Sequence, residues 1–168
     1  MNTLVVIRHS KSSWEGPEVD HDRPLSDRGT RDADAIATAM RRDVGRPDLV
    51  LCSTALRARQ TAIFVDVAFF DDRPEIRYDP RIYDASVLRL LQVLHEVPSD
   101  IGTVALVGHN PGCADLAALL VGSGDPGSLE TMRRRYKTSA IAVLDFPNGS
   151  GEFVPGGAVL RTFIVPRG

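Results

Sequence analysis

The sequence predicts an α/β fold: a mostly parallel central sheet with helices on both faces, in three α/β/α layers. Three observations carry this. Short apolar runs without polar alternation at residues 3–8, 47–53 and 103–108 read as strands covered on both sides. Segments with apolar or small residues at helical spacing lie between them. Strands that alternate with helices are joined by crossovers, which favours parallel pairing.

The elements follow in order. "TLVVIR" is the first strand, and the unperiodic stretch "SKSSWEGPEVDHDRP" is a long loop, a length that usually accompanies function. Ser26 caps a helix running to about Val44, with Ala33, Ile36, Ala37, Met40 and Val44 on its inner face. "PDLVLCS" is the second strand. A helix starting near Thr54 then carries Ala55, Ala58, Ala62, Val65 and Phe69 on one stripe, small enough for close packing on a sheet.

"EIRY" reads as a short strand, and Val87, Leu90, Leu91 and Leu94 define a third helix. "TVALVGHNP" is the next strand and turn, with Pro111 at the first position of a fourth helix containing Cys113, Leu116, Ala117 and Leu120. "SAIAVLDF" and "AVLRTFIV" are two further strands, separated by "PNGSGEFVPGG" and expected to form an antiparallel edge.

With 168 residues, 43% hydrophobic and 25% charged, one globular domain spanning residues 1–168 is expected. A net charge of -2 gives no bulk reason for nucleic acid or anionic lipid as partner. No stretch is long enough to span a bilayer, and the opening apolar run is too short for a signal peptide, so a cytoplasmic protein is expected. Cys52 and Cys113 lie far apart among apolar residues and read as buried thiols.

Three strand ends deliver polar groups: Arg8 and His9; Ser53, Thr54 and Arg57; His109 and Asn110. In open α/β sheets ligands bind beyond the carboxyl ends of strands, and two of these junctions open into helices whose free N–H groups favour an anion. A cation in the first turn of a helix opposes the dipole there, so Arg57 implies an anion between itself and Arg8. Arg59 lies at the wrong helical angle and reads as surface. His21, in a polar loop, and His95, beside an apolar helix face, read as structural.

His9 and His109 adjoin the anion pocket and admit a metal site or a nucleophile. Neither junction shows HxH, HExxH or a neighbouring acid, so no metal and no cofactor is expected. The two arginines already supply the positive charge, which makes attack by histidine on phosphorus the better account.

The set "VVIRHSKSSW", "LCSTALRARQT" and "LVGHNPG", in that order, resembles the histidine phosphatase superfamily, whose fold is called phosphoglycerate mutase-like. With "DHDRPLSDRG" and the short chain, the pattern is most similar to SixA-type phosphohistidine phosphatases. The resemblance implies that His9 becomes transiently phosphorylated and that Arg8, Arg57 and His109 hold the phosphoryl oxygens. Positive surroundings would depress the His9 pKa and keep it neutral for attack.

Many relatives carry an acid that protonates the leaving group. "RIYDAS" places Asp84 at the comparable position, where it also reads as a cap or first-turn acid of the third helix. The chain departs from the family's RHG pattern with Ser10 and Lys11. Lys11 extends the phosphate pocket or faces solvent, and Thr54 is a further candidate for substrate binding.

The implied partner is a phosphoprotein bearing phosphohistidine, because the interval before His109 lacks the insertions that cover small-molecule pockets in larger relatives. Small phosphomonoesters or nucleotides are the alternative, and a phosphate-binding module without catalysis is a third reading. The basic run "RRRYK" at 133–137 reads as a solvated helical or loop face, with attraction of an acidic partner as the alternative.

Overall fold

A computed structural model describes residues 1–147 and 153–168. Its strands are β1 (Thr3–Arg8), β2 (Leu49–Ser53), β3 (Glu75–Asp79), β4 (Thr103–Gly108), β5 (Val121–Gly124), β6 (Ile141–Asp145) and β7 (Ala158–Ile164). They form one sheet of order β3-β2-β4-β1-β6-β7-β5. The first four strands pair in parallel, β6 runs antiparallel to both β1 and β7, and β5 joins β7 in parallel.

The continuous apolar runs are explained by two cores. Leu4 and Val6 of β1, with Leu49, Leu51, Val104 and Leu106, face one side. Val5 and Ile7, with Val50, Cys52, Ala105 and Val107, face the other. Helices α1 (Asp27–Ala39) and α2 (Leu56–Val67) cover the second side, where Ile36, Ala37, Ala58, Ala62 and Val65 are buried. Helices α3 (Val87–His95), α4 (Gly112–Leu120) and α5 (Pro126–Arg134) lie on the first side through Leu90, Leu94, Leu116, Leu120 and Met132. Both faces are therefore buried, as a largely parallel sheet requires.

Two expectations need correction. β6 and β7 pair antiparallel, but they do not form the edge: β6 sits between β1 and β7, and β5 lies outside β7. The edge strand β5, "VGSG", has two glycines and no alternation, so its composition carries little strand signal. Helix α5 buries only Met132, which leaves no apolar stripe to read; its start is marked instead by Asp125, whose carboxylate accepts from Ser128 N, followed by Pro126. Helix α1 ends at Ala39 and continues as a π-helical turn to Val44. Helix α4 begins at Gly112, with Pro111 one position before it. Of the "PNGSGEFVPGG" turn, residues 148–152 lie outside the described residues.

The long loop after β1 is ordered by Arg23, which is 7% exposed. Its guanidinium donates to Ser12 Oγ at 2.7 Å, Ser13 O at 3.1 Å and Asp20 Oδ1 at 2.7 Å, and lies 3.4 Å from the centroid of the Trp14 ring. Ser12 and Leu25 close the loop with an antiparallel bridge.

Candidate active site

The register of the sheet assembles the site. Arg8 stands opposite Gly108, and His9 N donates to Gly108 O at 3.0 Å, so the first residues beyond β1 and β4 are the two histidines. Their ring centroids are 4.9 Å apart. Ser53, at the end of β2, lies beside them and meets His109 Nε2 at 2.8 Å. Arg57, in the first turn of α2, reaches between the rings: Nε donates to His9 Nε2 at 3.3 Å and Nη2 to His109 Nδ1 at 3.4 Å. Arg57 is 5% exposed and each histidine 7%.

These contacts fix the tautomers, because an arginine N–H only donates and a carbonyl only accepts. His9 Nδ1 lies 2.6 Å from Ser10 O and therefore carries its proton there, leaving the lone pair on Nε2, the atom facing Arg57. His109 accepts at Nδ1 and donates Nε2–H to Ser53 Oγ. Burial is the main cause that lowers the His9 pKa to about 3, with His109, Arg57 and Arg8 adding to it. His109 falls to about 4, again by burial first and then by Arg57. The sequence reading named positive charge as the cause for His9; desolvation is the larger one. Both rings are neutral above about pH 5.

Helices α2 and α4, which open at the site, have no side-chain cap at Ala55 or Pro111, whereas Ser26, Ser86 and Asp125 cap α1, α3 and α5. Free N–H groups thus collect where the arginines are. Arg8 donates Nη1 to Tyr136 O at 2.8 Å, while its Nε is buried with no hydrogen-bond partner among the described residues. Asn110 donates to the same carbonyl at 2.9 Å, and its Oδ1 is likewise buried without a partner among the described residues. An oxyanion accepting from Arg8 Nε would relieve one of these desolvation penalties.

Sequence reasoning missed the second half of the site. The loop before α1 brings Asp20 onto Arg57, with Oδ2 3.0 Å from Nη2 and the Asp20 carbonyl accepting from Nη1. Tyr83 donates its hydroxyl to Asp20 Oδ2 at 2.6 Å and stands edge-on to His109 at 5.4 Å. The Tyr83 hydrogen bond, then Arg23 and Arg57, hold the Asp20 carboxyl well below the usual carboxylate range against the opposing effect of burial. The protein itself thus supplies an anion to Arg57, the carboxylate of Asp20, where the sequence implied a bound one. "DHD" between two turn-rich stretches was the available signal, but only the fold shows which acid faces inward.

His21, read as structural, stands at the rim: Nε2 is 3.0 Å from Thr54 Oγ1 and its ring meets Tyr83 edge-on at 5.0 Å. Thr54 therefore touches the rim of the pocket through His21. His95 remains apart, its Nδ1 2.7 Å from Leu91 O and its ring against Phe153. Arg59 is exposed, and burial pushes both cysteine thiols up to about 12.

Asp84 is exposed, at φ 47, and lines a cavity of about 590 Å³ beside Tyr83; it hydrogen-bonds to none of Arg8, His9, Arg57 or His109. It is not the cap of α3, since Ser86 is. Lys11 is also exposed, and its carbonyl accepts from Ser26 N at 2.9 Å. Ser10 explains the break in the RHG pattern: it is fully buried, and its Oγ lies 2.8 Å from Ser139 Oγ, tying the segment before β6 to the end of β1. Among the described residues, no three His, Cys, Asp or Glu side chains group closely enough to hold a metal ion. Among them, too, no helix is long and apolar enough to cross a membrane.

A family model described as the histidine phosphatase superfamily (branch 1) matches residues 4–87, and the chain belongs to that superfamily. Hydrolysis of phosphorylated substrates is the reaction class that membership supports. An uncharacterized Mycobacterium tuberculosis protein, Rv1276c, is 36% identical over 163 residues, covering 96% of this chain and all of that protein. A candidate phosphohistidine phosphatase SixA from Nakamurella multipartitia superposes with a TM-score of 0.83 at 30% identity, covering 98% of this chain and 96% of that one. The protein histidine phosphatase SixA complexed with tungstate shares the fold, with a TM-score of 0.76 at 20% identity and coverage of 98% and 97%. Within the superfamily the chain is of the SixA type.

Asp20→Asn keeps the hydrogen-bonding shape and removes the charge that competes with an incoming phosphate at Arg57. The inhibition constant of inorganic phosphate is expected to fall by roughly twofold to fivefold, the scale of a partly exposed ion pair. An unchanged constant would show that Asp20 does not compete.

Proposed function

We propose that this protein hydrolyses phosphohistidine on another protein through a covalent intermediate on His9. The observation that carries the substrate reading is a neutral nucleophile with no protonated carboxyl beside it among the described residues. Asp20 is ionised, which makes it unsuited to donate a proton, and Asp84 is exposed and hydrogen-bonds to none of Arg8, His9, Arg57 or His109. An alkoxide leaves poorly without an acid, whereas a phosphohistidine ring that takes a proton from solvent on its free nitrogen leaves as neutral imidazole, whose conjugate acid has an ordinary pKa near 6.5. The 30% identical Nakamurella protein, named as a candidate phosphohistidine phosphatase, supports the same reading.

In this mechanism the lone pair on His9 Nε2 attacks phosphorus as the substrate's P–N bond breaks. The substrate ring, protonated from solvent on its free nitrogen, leaves as neutral imidazole. Arg8 and Arg57 neutralise the equatorial oxygens, and His109, taking up a proton as the dianion binds, turns Nδ1 from acceptor to donor. Water then attacks the phosphorus on His9, its proton goes to solvent, and inorganic phosphate leaves with His9 regenerated.

One observation favours small phosphomonoesters: the cavity of about 590 Å³ beside Tyr83 has the volume of a small-molecule pocket. A panel decides between them. With a chemically phosphorylated histidine peptide, p-nitrophenyl phosphate, sugar phosphates and nucleotides, kcat/KM for the peptide is expected to exceed the others by at least about 100-fold, with or without chelator. Preference for a monoester would transfer the function to the alternative.

A further inference from the structure

A second cavity, of about 320 Å³, is lined by Arg8, Lys11, Arg28, Arg135, Tyr136, Lys137, Thr138 and Arg167. Six of these eight side chains are cationic, in a chain whose net charge is -2. Their carboxylate compensation is small. Asp32, 1% exposed, serves Arg28 at 3.7 Å and Arg167 at 3.3 Å. Lys11, Arg135 and Lys137 are exposed, with no acidic group within 4 Å among the described residues. Such a group of like charges raises the local potential and repels itself unless an anion occupies it.

The fold fixes this cleft beside the nucleophile. Ile7 pairs with Ile141 and Ile141 with Ile164, so β6 begins and β7 ends level with the end of β1. Residues 135–139 and 166–168 therefore lie beyond the end of β1, where Arg8 and Arg167 line the same cavity. Ser139, at φ 65 and fully buried, donates its N–H to Arg8 O at 3.1 Å and His9 O at 3.2 Å, while its hydroxyl meets Ser10. A non-glycine residue holds that conformation only where its surroundings enforce it. Arg135 and Lys137 are thus presented on a segment bound to the nucleophile's own backbone, and Arg8 belongs to both the cluster and the cleft.

Resting on the reading that the substrate is a phosphoprotein, we infer that this cleft binds an acidic segment of the polypeptide that presents the phosphorylated side chain. The cations are spread over four chain segments around an open cavity, which suits several carboxylates along an extended chain. The run read from sequence as a solvated face, "RRRYK", supplies two of them.

The test uses two phosphohistidine peptides of equal length, one flanked by four glutamates and one by four serines, with p-nitrophenyl phosphate as reference and an unphosphorylated, dye-labelled glutamate peptide for binding. The glutamate-flanked substrate is expected to have a kcat/KM about tenfold higher at low salt, and the gap closes near 0.5 M salt, where the screening length falls to about 4 Å. Arg135→Glu with Lys137→Glu, both at exposed side chains, should erase the gap and the peptide binding while leaving turnover of p-nitrophenyl phosphate within about twofold. Lys137→Ala should erase part of it.

Equal turnover of both peptides by wild-type protein, with no binding of the labelled peptide, overturns the cleft and leaves the phosphohistidine reading intact. Salt-sensitive binding lost in the double variant, without turnover of either phosphopeptide, supports the cleft and overturns the phosphohistidine reading. Tighter binding of inorganic pyrophosphate than of the glutamate peptide overturns the assignment to a polypeptide.

Discussion

Replacing His9 by asparagine is expected to lower turnover by about 10⁴-fold or more and to abolish acid-labile phosphate trapped on the protein. The size follows from the position of His9: its Nε2 lone pair faces Arg57 inside a pocket from which water is largely excluded, and no other side chain among the described residues offers a neutral lone pair there in the same setting. His109 carries its own lone pair at Nδ1, but Ser53 and Arg57 hold its ring, and the proposed mechanism uses it as an oxyanion partner. Label persisting on the His9→Asn variant would overturn the mechanism. Full phosphate binding by wild type without label or turnover would identify a binding module instead.

The same substitution has a thermodynamic signature with a fixed sign. The folded-state pKa of His9 is lowered to about 3 against an ordinary value near 6.5, so between these values the unfolded chain binds the proton and the folded chain does not. Stability therefore rises with pH through this window and is lost as pH falls from about 6.5 towards 3. His109, lowered to about 4, adds a loss of the same sign. His9→Asn removes the first contribution, and the fall in Tm between about pH 7.5 and about pH 4.5 should be smaller for the variant than for wild type. An equal fall in both would mean that His9 is not held neutral by its surroundings.

Half of the site was legible because it depends on local rules. A strand buried on both faces announces itself by composition, and its end is where polar residues can first appear; Arg8, His9 and His109 stand at such ends. Arg57 was legible because a cation in a helix's first turn conflicts with the dipole. Asp20, Tyr83, Arg23 and His21 were not, since they lie in loops without periodicity and gain meaning only from contacts across 37 residues, as for Arg57 with Asp20, or 63, as for Tyr83 with Asp20. Asp84 shows the converse: its sequence position suited an acid donor, yet it stands exposed, at φ 47, with no hydrogen bond to Arg8, His9, Arg57 or His109. The charges of the basic run are exposed, as a solvated face should be, but its composition could not show that the segment's backbone is fastened to the end of β1 through Ser139.

Arg57 is the residue on which both halves converge, and two substitutions separate its charge from its shape. Arg57→Lys keeps the charge but cannot reproduce a planar fork that touches His9, His109 and Asp20 together; kcat/KM is expected to fall by about 10² to 10³, the usual cost of one oxyanion donor. Arg57→Ala should fall at least as far, and it also removes a charge that lowers the His9 pKa. The His9 titration should therefore move upward from about 3 in the Ala variant and stay low in the Lys variant, measurable by following its ring proton by NMR. Added guanidinium should partly restore the Ala variant's turnover. Wild-type kcat/KM in the Lys variant would reduce Arg57 to a point charge. An unmoved His9 titration in the Ala variant would assign its low pKa to burial, the largest single cause, together with His109 and Arg8, and would remove Arg57 from its causes.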